Sequence, residues 1–370
     1  MRLSGQRLTE LLEKAENELS LSAEELAFLL GLKERVHKEL LFKTARKLRR
    51  KYFEDKIFLY GFIYMSTFCR NDCCFCYYRK SNTKGRRYRK TAPEIISTAE
   101  KLAKTGVHLI DLTMGEDPLL FKNGDNQGHR LCELVESVAE STGLPIMVSP
   151  GLIPMSLLHN LKASGATWYA CYQETHNRKL FKRLRPGQDF NNRLNIKSKA
   201  HRQALLIEEG MLCGIGEKIS DIVHSIEAMK TLDADQVRVM KFIPQKGTPL
   251  ENRPSPDPSM EMLIIGVLRL VFPRILIPAT LDVDGIANLK NRLDAGANVV
   301  TSIVPPGQGL SGVARHSLDI EDGNRSSNVV TRILNQRGLA AASNDEYLRW
   351  ITPREQSIAS PDSDRKTVCE

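Results

Sequence analysis

Short β-rich runs alternate with helical stretches from residue 57 to residue 336, and this alternation constrains the fold more than any other feature of the chain. The β-rich runs cover residues 57–66, 107–114, 145–149, 168–174, 211–216, 236–244, 275–282 and 298–304. Helical patterning occupies 93–104, 130–141, 156–164, 193–209, 219–232, 259–271, 287–295 and 327–336. Units of ~30 residues with this order call for parallel strands joined by crossover helices. Eight of them across about 280 residues match an α/β fold of the (β/α)8 TIM-barrel type in count and length. An open doubly wound sheet normally stops at about five to seven strands and is the lesser option.

The flanks read differently. Residues 1–50 carry helical spacing without a strand signal, and Ser22-Ala-Glu-Glu25 has the form of a capping box, so a helical extension is expected ahead of a barrel at 51–340. Residues 341–370 are expected to be the C-terminal end and a flexible tail, because the sequence turns polar and proline-containing after Thr352. The formal charge is +9, much of it in the runs 46–51 and 79–90, while aromatics are 6% and offer no base-stacking platform. The expectation is no nucleic-acid partner and no membrane. The N-terminus lacks the apolar core of a signal peptide, and the most apolar window, 262–281, is interrupted by Arg269, Pro273 and Arg274. A cytoplasmic location is expected.

Four of the eight cysteines, Cys69, Cys73, Cys74 and Cys76, lie within eight residues directly after the first β-rich run. A reduced protein that crowds its cysteines is binding metal rather than building a disulfide framework. The spacing of 69, 73 and 76 is C-x3-C-x2-C, complete without Cys74, which reads as a small packed residue. In a barrel this loop lies at the C-terminal face, where reactive groups collect. Three thiolates can hold three irons of a [4Fe-4S] cube and leave the fourth open, whereas structural zinc needs a fourth ligand and the chain has no second paired motif.

C-x3-C-x2-C with an aromatic, Phe75, before its last cysteine resembles the signature of the radical S-adenosyl-L-methionine (SAM) superfamily. The resemblance implies a [4Fe-4S] cluster on Cys69, Cys73 and Cys76, SAM on the open iron, and its reductive cleavage to a 5′-deoxyadenosyl radical. Asp111-Leu-Thr-Met-Gly115-Glu116-Asp117 is similar to the family's Gly-Gly-Glu element, whose backbone meets the SAM ammonium. Glu174 at the fourth strand end and Arg193 nineteen residues later match an acid and an arginine that bind SAM in the biotin synthase branch, although Arg178, Arg183 and Arg185 lie close enough to compete. Gly210-Met-Leu-Cys213-Gly214 resembles the element along the adenine. Phe75, Gly115, Glu116, Ser149, Glu174, Arg193 and Gly214 are thus the implied cofactor set. The implied partner is a one-electron donor, a flavodoxin or ferredoxin, for which the basic loop 79–90 is the expected docking patch.

Longer strings, among them Asp111 to Asp117, Tyr172-Gln-Glu-Thr175, Arg238-Val-Met240, Pro278-Ala-Thr-Leu-Asp282 and Asn298-Val-Val-Thr-Ser302, are similar to the 3-methylornithine synthase family across residues 21–339. That resemblance implies an isomerase of pyrrolysine biosynthesis. It would convert L-lysine to (3R)-3-methyl-D-ornithine by hydrogen abstraction, fragmentation and recombination. Asp111, Arg238, Thr280, Asp282, Thr301 and Ser302 match the family's substrate-binding positions, with Thr280 where the family has serine. Their chemistry suits a diamino acid, which needs a fixed cation for its carboxylate and carboxylates for its ammonium groups. Three rivals stand beside it, one of them a non-catalytic iron–sulfur scaffold. A sulfur-inserting enzyme similar to biotin synthase needs a second cluster inside the barrel, and an RNA-modifying enzyme needs an RNA-binding module. Cys171, three residues from Glu174 on one predicted strand, is expected to face the outer helices.

Overall fold

The computed structural model describes residues 2–359 apart from 86, 122–125, 283 and 306–323. Its centre is a barrel of eight parallel strands: β1 (Lys56–Ser66), β2 (Leu109–Met114), β3 (Ile146–Ser149), β4 (Ala166–Ala170), β5 (Leu206–Cys213), β6 (Gln236–Lys241), β7 (Pro278–Thr280) and β8 (Val299–Ile303). They pair in the order β6-β5-β4-β3-β2-β1-β8-β7. The Gln236–Leu276 bridge, with Val237 N–H on the Leu276 carbonyl at 3.0 Å, closes the ring. A (β/α)8 barrel is therefore what the repeat encodes.

Period-two alternation decides what faces the interior. On β1, Phe58, Tyr60, Phe62 and Tyr64 point inward, while Ile57, Leu59, Ile63 and Met65 pack in the outer layer under the helices. On β5, Leu206 and Leu212 are interior, and Ile207, Met211 and Cys213 are exterior. One interruption shapes the site. Leu59 pairs with Val300 and Gly61 with Ile303, so β8 carries one extra residue opposite Tyr60. Ser302 takes a φ of 67° there, and the bulge turns both Thr301 and Ser302 inward.

Three helices precede the barrel: α1 (Arg2–Glu16), α2 (Ala23–Leu30) and α3 (Arg35–Phe53). Ser22 and Glu25 form the capping box of α2. The basic run of α3 is engaged inside the protein. Arg46 donates to the Asp294 carbonyl at 2.8 Å and Arg49 to that of Ala297 at 3.0 Å, while Lys47 and Lys51 pair with Glu16 and Glu18 of the first helix and its exit. Around the barrel run α4 (Ala92–Ala103), α5 (Asn126–Thr142), α6 (Met155–Ala163), α7 (Arg178–Leu184), α8 (Phe190–Arg202), α9 (Ile219–Thr231), α10 (Pro258–Val271) and α11 (Leu289–Asp294), followed by Ser327–Asn335. No helix among the described residues is long and apolar enough to cross a membrane.

Three expectations are corrected. The helix expected at 193–209 stops at Arg202, and Leu206–Glu209 belong to β5, because Glu208 and Glu209 are fully buried with partners rather than solvated helix charges. The strand expected at 168–174 ends at Ala170, and Glu174 sits beyond it with a φ of 68°. The expected tail contains a helix, Asn344–Ala359, opened by reciprocal Ser343–Glu346 capping bonds. Tyr347 and Ile351 are buried, the Tyr347 hydroxyl meets that of Tyr60 at 2.9 Å, and Trp350 stacks on Trp168 at 6.2 Å. This helix closes the N-terminal end of the barrel. Residues 360–370, with Cys369, lie outside the described residues.

Candidate active site

At the C-terminal ends of the strands the barrel opens into a cavity of about 220 Å³. Cys69, Cys73 and Cys76 form part of its wall, as does Phe75. Cys74 does not: its thiol turns toward α7 and the Arg183 carbonyl at 3.3 Å. Donors surround the sulfurs. Gln188 Nε2 lies 3.0 Å and Arg185 Nη1 3.4 Å from Cys73 Sγ, and the Asn71 N–H approaches Cys69 Sγ at 3.5 Å. Burial, together with the neighbouring Cys73 and Cys69, pushes the Cys76 thiol well up. A buried thiol of this kind ionises readily beside a cation, as it does on iron. Among the described residues no three His, Cys, Asp or Glu side chains converge as a single-ion site. A cuboidal cluster, with one thiolate on each of three irons, asks for no such convergence. The donor set fits that group.

The loop carrying the cysteines is held by the basic segment after it. Arg87 donates to the carbonyls of Thr67, Tyr78, Arg79 and Asn82, the second at 2.9 Å and the last at 3.2 Å. Arg89 forks onto Asp117 at 2.7 and 2.9 Å with Phe68 beneath it, and Arg79 pairs with Asp72 at 3.4 Å. The described arginines expected to form a docking patch are thus engaged within the protein, with Arg89, Lys80 and Lys84 exposed.

On the expected cofactor side, Gly115, Glu116, Ser149, Glu174 and Arg193 all line the cavity. Gly115 has no room for a side chain, since a Cβ would lie 2.4 Å from the Phe68 carbonyl oxygen and 2.9 Å from Cys69 Cβ. Glu116 accepts from Arg193 Nη1 at 2.9 Å, Arg70 Nε at 3.0 Å and the Leu152 N–H at 3.0 Å. Burial alone would raise its carboxyl, but Arg193, the Leu152 amide and Arg70 hold it below the usual range. Glu174 meets Arg185 Nη2 at 3.3 Å through one oxygen, while its other oxygen is buried without a partner. Burial raises its carboxyl. An orphaned carboxylate oxygen beside the cysteines suits an ammonium. Gly214 is not part of the wall: its amide is taken by Glu217 and its α-carbon abuts Pro256.

Deeper in the barrel stand the expected substrate residues. Asp111 accepts from Thr113 Oγ1 at 2.7 Å and Ser149 Oγ at 3.1 Å, and burial pushes it up to about 7. Arg238 donates from Nε to Glu208 Oε1 at 2.6 Å, while its Nη2 is buried without a partner. Asp282 and Ser302 line the cavity. Thr280 lies beneath, 3.4 Å from Ser302 Oγ and 3.2 Å from the Asp282 N–H, and Thr301 Oγ1 is buried without a hydrogen bond.

Several participants escaped the sequence reading. Glu208, Tyr172 and Arg185 contact expected residues directly, Tyr172 through the Arg238 guanidinium over its ring, and Arg325 donates to Asp282 at 3.1 Å. Arg185 and Arg193 do not compete: they pair with Glu174 and Glu116 respectively. Arg325 carried no local signal. Outside the loop, Cys171 alone among the described cysteines reaches the cavity wall, although it also packs in the outer layer; Cys132 and Cys213 lie in that outer layer.

Comparison with known proteins adds to this geometry. The model of the radical SAM superfamily matches residues 63–229. The chain is 43% identical over 335 residues to the 3-methylornithine synthase of Methanosarcina acetivorans, covering 90% of this chain and 94% of that one. It is 44% identical over 327 residues to the enzyme of the same name from Methanosarcina barkeri, covering 88% and 92%. A crystal structure of methylornithine synthase superposes with a TM-score of 0.87 at 43% identity, covering 92% of this chain and 99% of that one.

Proposed function

The chain belongs to the 3-methylornithine synthase family of the radical SAM superfamily, and from that premise we propose that it isomerises L-lysine to (3R)-3-methyl-D-ornithine for pyrrolysine biosynthesis. The observation that carries this reading is the Arg238 guanidinium, set deep in the cavity with one buried N–H group unpaired, in the same wall as Asp111 and Asp282. A diamino acid brings one carboxylate and two ammonium groups, and this wall offers their counterparts.

Cys69, Cys73 and Cys76 would hold the cluster, each on its own iron, and Glu174, Arg193 and the backbone at Gly115 would hold SAM, with Phe75 and Ser149 beside them. Bound there, the cluster and SAM supply a 5′-deoxyadenosyl radical for hydrogen abstraction. The protein's own groups then do the holding. Arg238 anchors the carboxylate, Asp282 the adjacent ammonium, and Asp111 the more distant one, with Thr280, Thr301 and Ser302 offering hydroxyls around the head. Anchoring matters because cleavage of a carbon–carbon bond leaves two small pieces that must recombine before either diffuses away.

A sulfur-inserting reaction would require a second cluster, and a single cysteine outside the loop reaches the cavity among the described residues. The electron donor is a flavodoxin or ferredoxin, and the site of action is the cytoplasm, where thiols stay reduced. Anaerobic incubation of reconstituted protein with L-lysine, SAM and dithionite, followed by chiral mass analysis, tests the assignment.

A further inference from the structure

We infer that Glu208 and Tyr172 are positioning residues that aim Arg238 at the carboxylate of the substrate's amino-acid head, an assignment that rests on the reading that an α-amino acid binds in this cavity. The geometry is specific. Glu208 is fully buried on β5 and accepts from Arg238 Nε at 2.6 Å with one oxygen. Its second oxygen accepts from the Tyr172 hydroxyl at 2.8 Å. The Tyr172 ring in turn lies under the same guanidinium, 5.3 Å from ring centre to Cζ.

A buried arginine–carboxylate pair is frequently bidentate, two N–H groups on two oxygens. Here the carboxylate is divided between Arg238 Nε and a phenol, so Nη2, the nitrogen that would complete such a pair, is left over. It is buried and makes no hydrogen bond. An unmatched buried N–H destabilises the empty protein. It is explained by a ligand oxygen that completes it. Arg238 also has no freedom to swing away, because Glu208 fixes Nε and Tyr172 covers one face.

Gly210 supports the same arrangement. It follows Glu208 by two residues on the inward face of β5, and a Cβ there would lie 2.8 Å from Tyr172 Cδ1. The strand thus supplies the acid that orients the guanidinium and the gap that admits the ring beneath it. Charge balance gives this device a purpose. Because Glu208 neutralises Arg238, the site selects the substrate carboxylate by the direction of one N–H edge more than by net positive charge. Simple anions would gain little from such a pair.

The test uses reconstituted, SAM-loaded Glu208→Gln and Tyr172→Phe with two ligands, L-lysine and 1,5-diaminopentane, which is lysine without its carboxylate. Glu208→Gln should raise the KM for L-lysine by roughly ten- to a hundredfold and Tyr172→Phe by about three- to tenfold, in line with the loss of a buried charged and a neutral hydrogen bond. The kcat should stay within about threefold, and SAM affinity, cluster absorbance and 1,5-diaminopentane affinity should not move. Unchanged lysine affinity in both variants would overturn the assignment. So would a parallel loss of both ligands, which is what mere damage to the pocket produces. Tyr172→Phe alone decides the matter if Glu208→Gln does not accumulate. If the unsubstituted enzyme ignores L-lysine but binds another α-amino acid with the Glu208→Gln penalty intact, the lysine reading falls and the positioning role stands.

Discussion

Arg193 at the start of α8 donates from Nη1 to Glu116 Oε1 at 2.9 Å, tying the segment after β4 to the segment after β2 across the mouth of the cavity. The same arginine donates from Nε to the Tyr172 carbonyl at 2.8 Å. One side chain therefore fixes the two stretches that carry the expected cofactor contacts, and Glu116 is what orients it.

Glu116→Gln should weaken SAM binding by at least tenfold in equilibrium binding to the reconstituted protein, since removing one charge of a buried pair typically costs about 2–5 kcal/mol. Folding stability should fall as well. The Glu116 carboxyl is held below its ordinary value of 4.5, so its contribution is present above that pH and is lost as the pH falls through the lowered value. The variant should accordingly show a smaller loss of melting temperature on acidification than the unsubstituted protein.

Cys69→Ala, Cys73→Ala and Cys76→Ala should each abolish the visible absorbance of the reconstituted cluster and the reductive cleavage of SAM. Cys74→Ala should retain both, because that thiol already faces the Arg183 carbonyl at 3.3 Å. Iron analysis should give about 4 Fe per chain, the content of one cube. A Cys76→Ala protein with full absorbance would remove the ligand assignment.

Asp111 predicts the pH profile of substrate binding. Burial places its carboxyl at about 7, against the lowering influence of Thr113 and Ser149 and of the nearby Arg238, with Glu208 raising it. An ammonium group needs the ionised form, so below pH 7 each unit of acidity should weaken L-lysine binding by up to about tenfold, with a plateau above. Asp111→Asn should bind more weakly at neutral pH and lose this dependence. Calorimetry in buffers of different ionisation enthalpy would also register proton release on binding near pH 7.

Tyr347→Ala should lower stability by about 3–5 kcal/mol, the range for emptying a buried aromatic site, without changing the cluster absorbance. The side chain is 1% exposed and packs against Phe58 at 5.0 Å and Tyr60 at 5.7 Å between ring centres. A thermal melt reads the effect. An unaltered melting temperature would mean that the Asn344–Ala359 helix does not close the barrel.

The barrel and the cysteine loop were legible because both are periodic or local: alternation writes itself along each strand, and Cys69, Cys73 and Cys76 sit in one turn of sequence. Glu208 and Glu209 were misread for the converse reason. Adjacent acids next to a helix look solvated, and what buries them lies elsewhere in the chain, Arg238 and Tyr172 for the first and Lys197 and His176 for the second. Arg325 reaches Asp282 from 43 residues away, a distance at which no sequence pattern operates. The C-terminal helix could have been found from Ser343 and Glu346 with Tyr347, Ile351 and Ile358 at helical spacing, but Pro353 within it argued for a tail.

The most direct measurement is product analysis after anaerobic incubation of the reconstituted protein with uniformly ¹³C-labelled L-lysine, SAM and dithionite. The lysine assignment predicts labelled (3R)-3-methyl-D-ornithine retaining every substrate carbon, formed only when SAM and reductant are both present. Cleavage of SAM with recovery of unaltered L-lysine, and no methylornithine by chiral mass analysis, would contradict it.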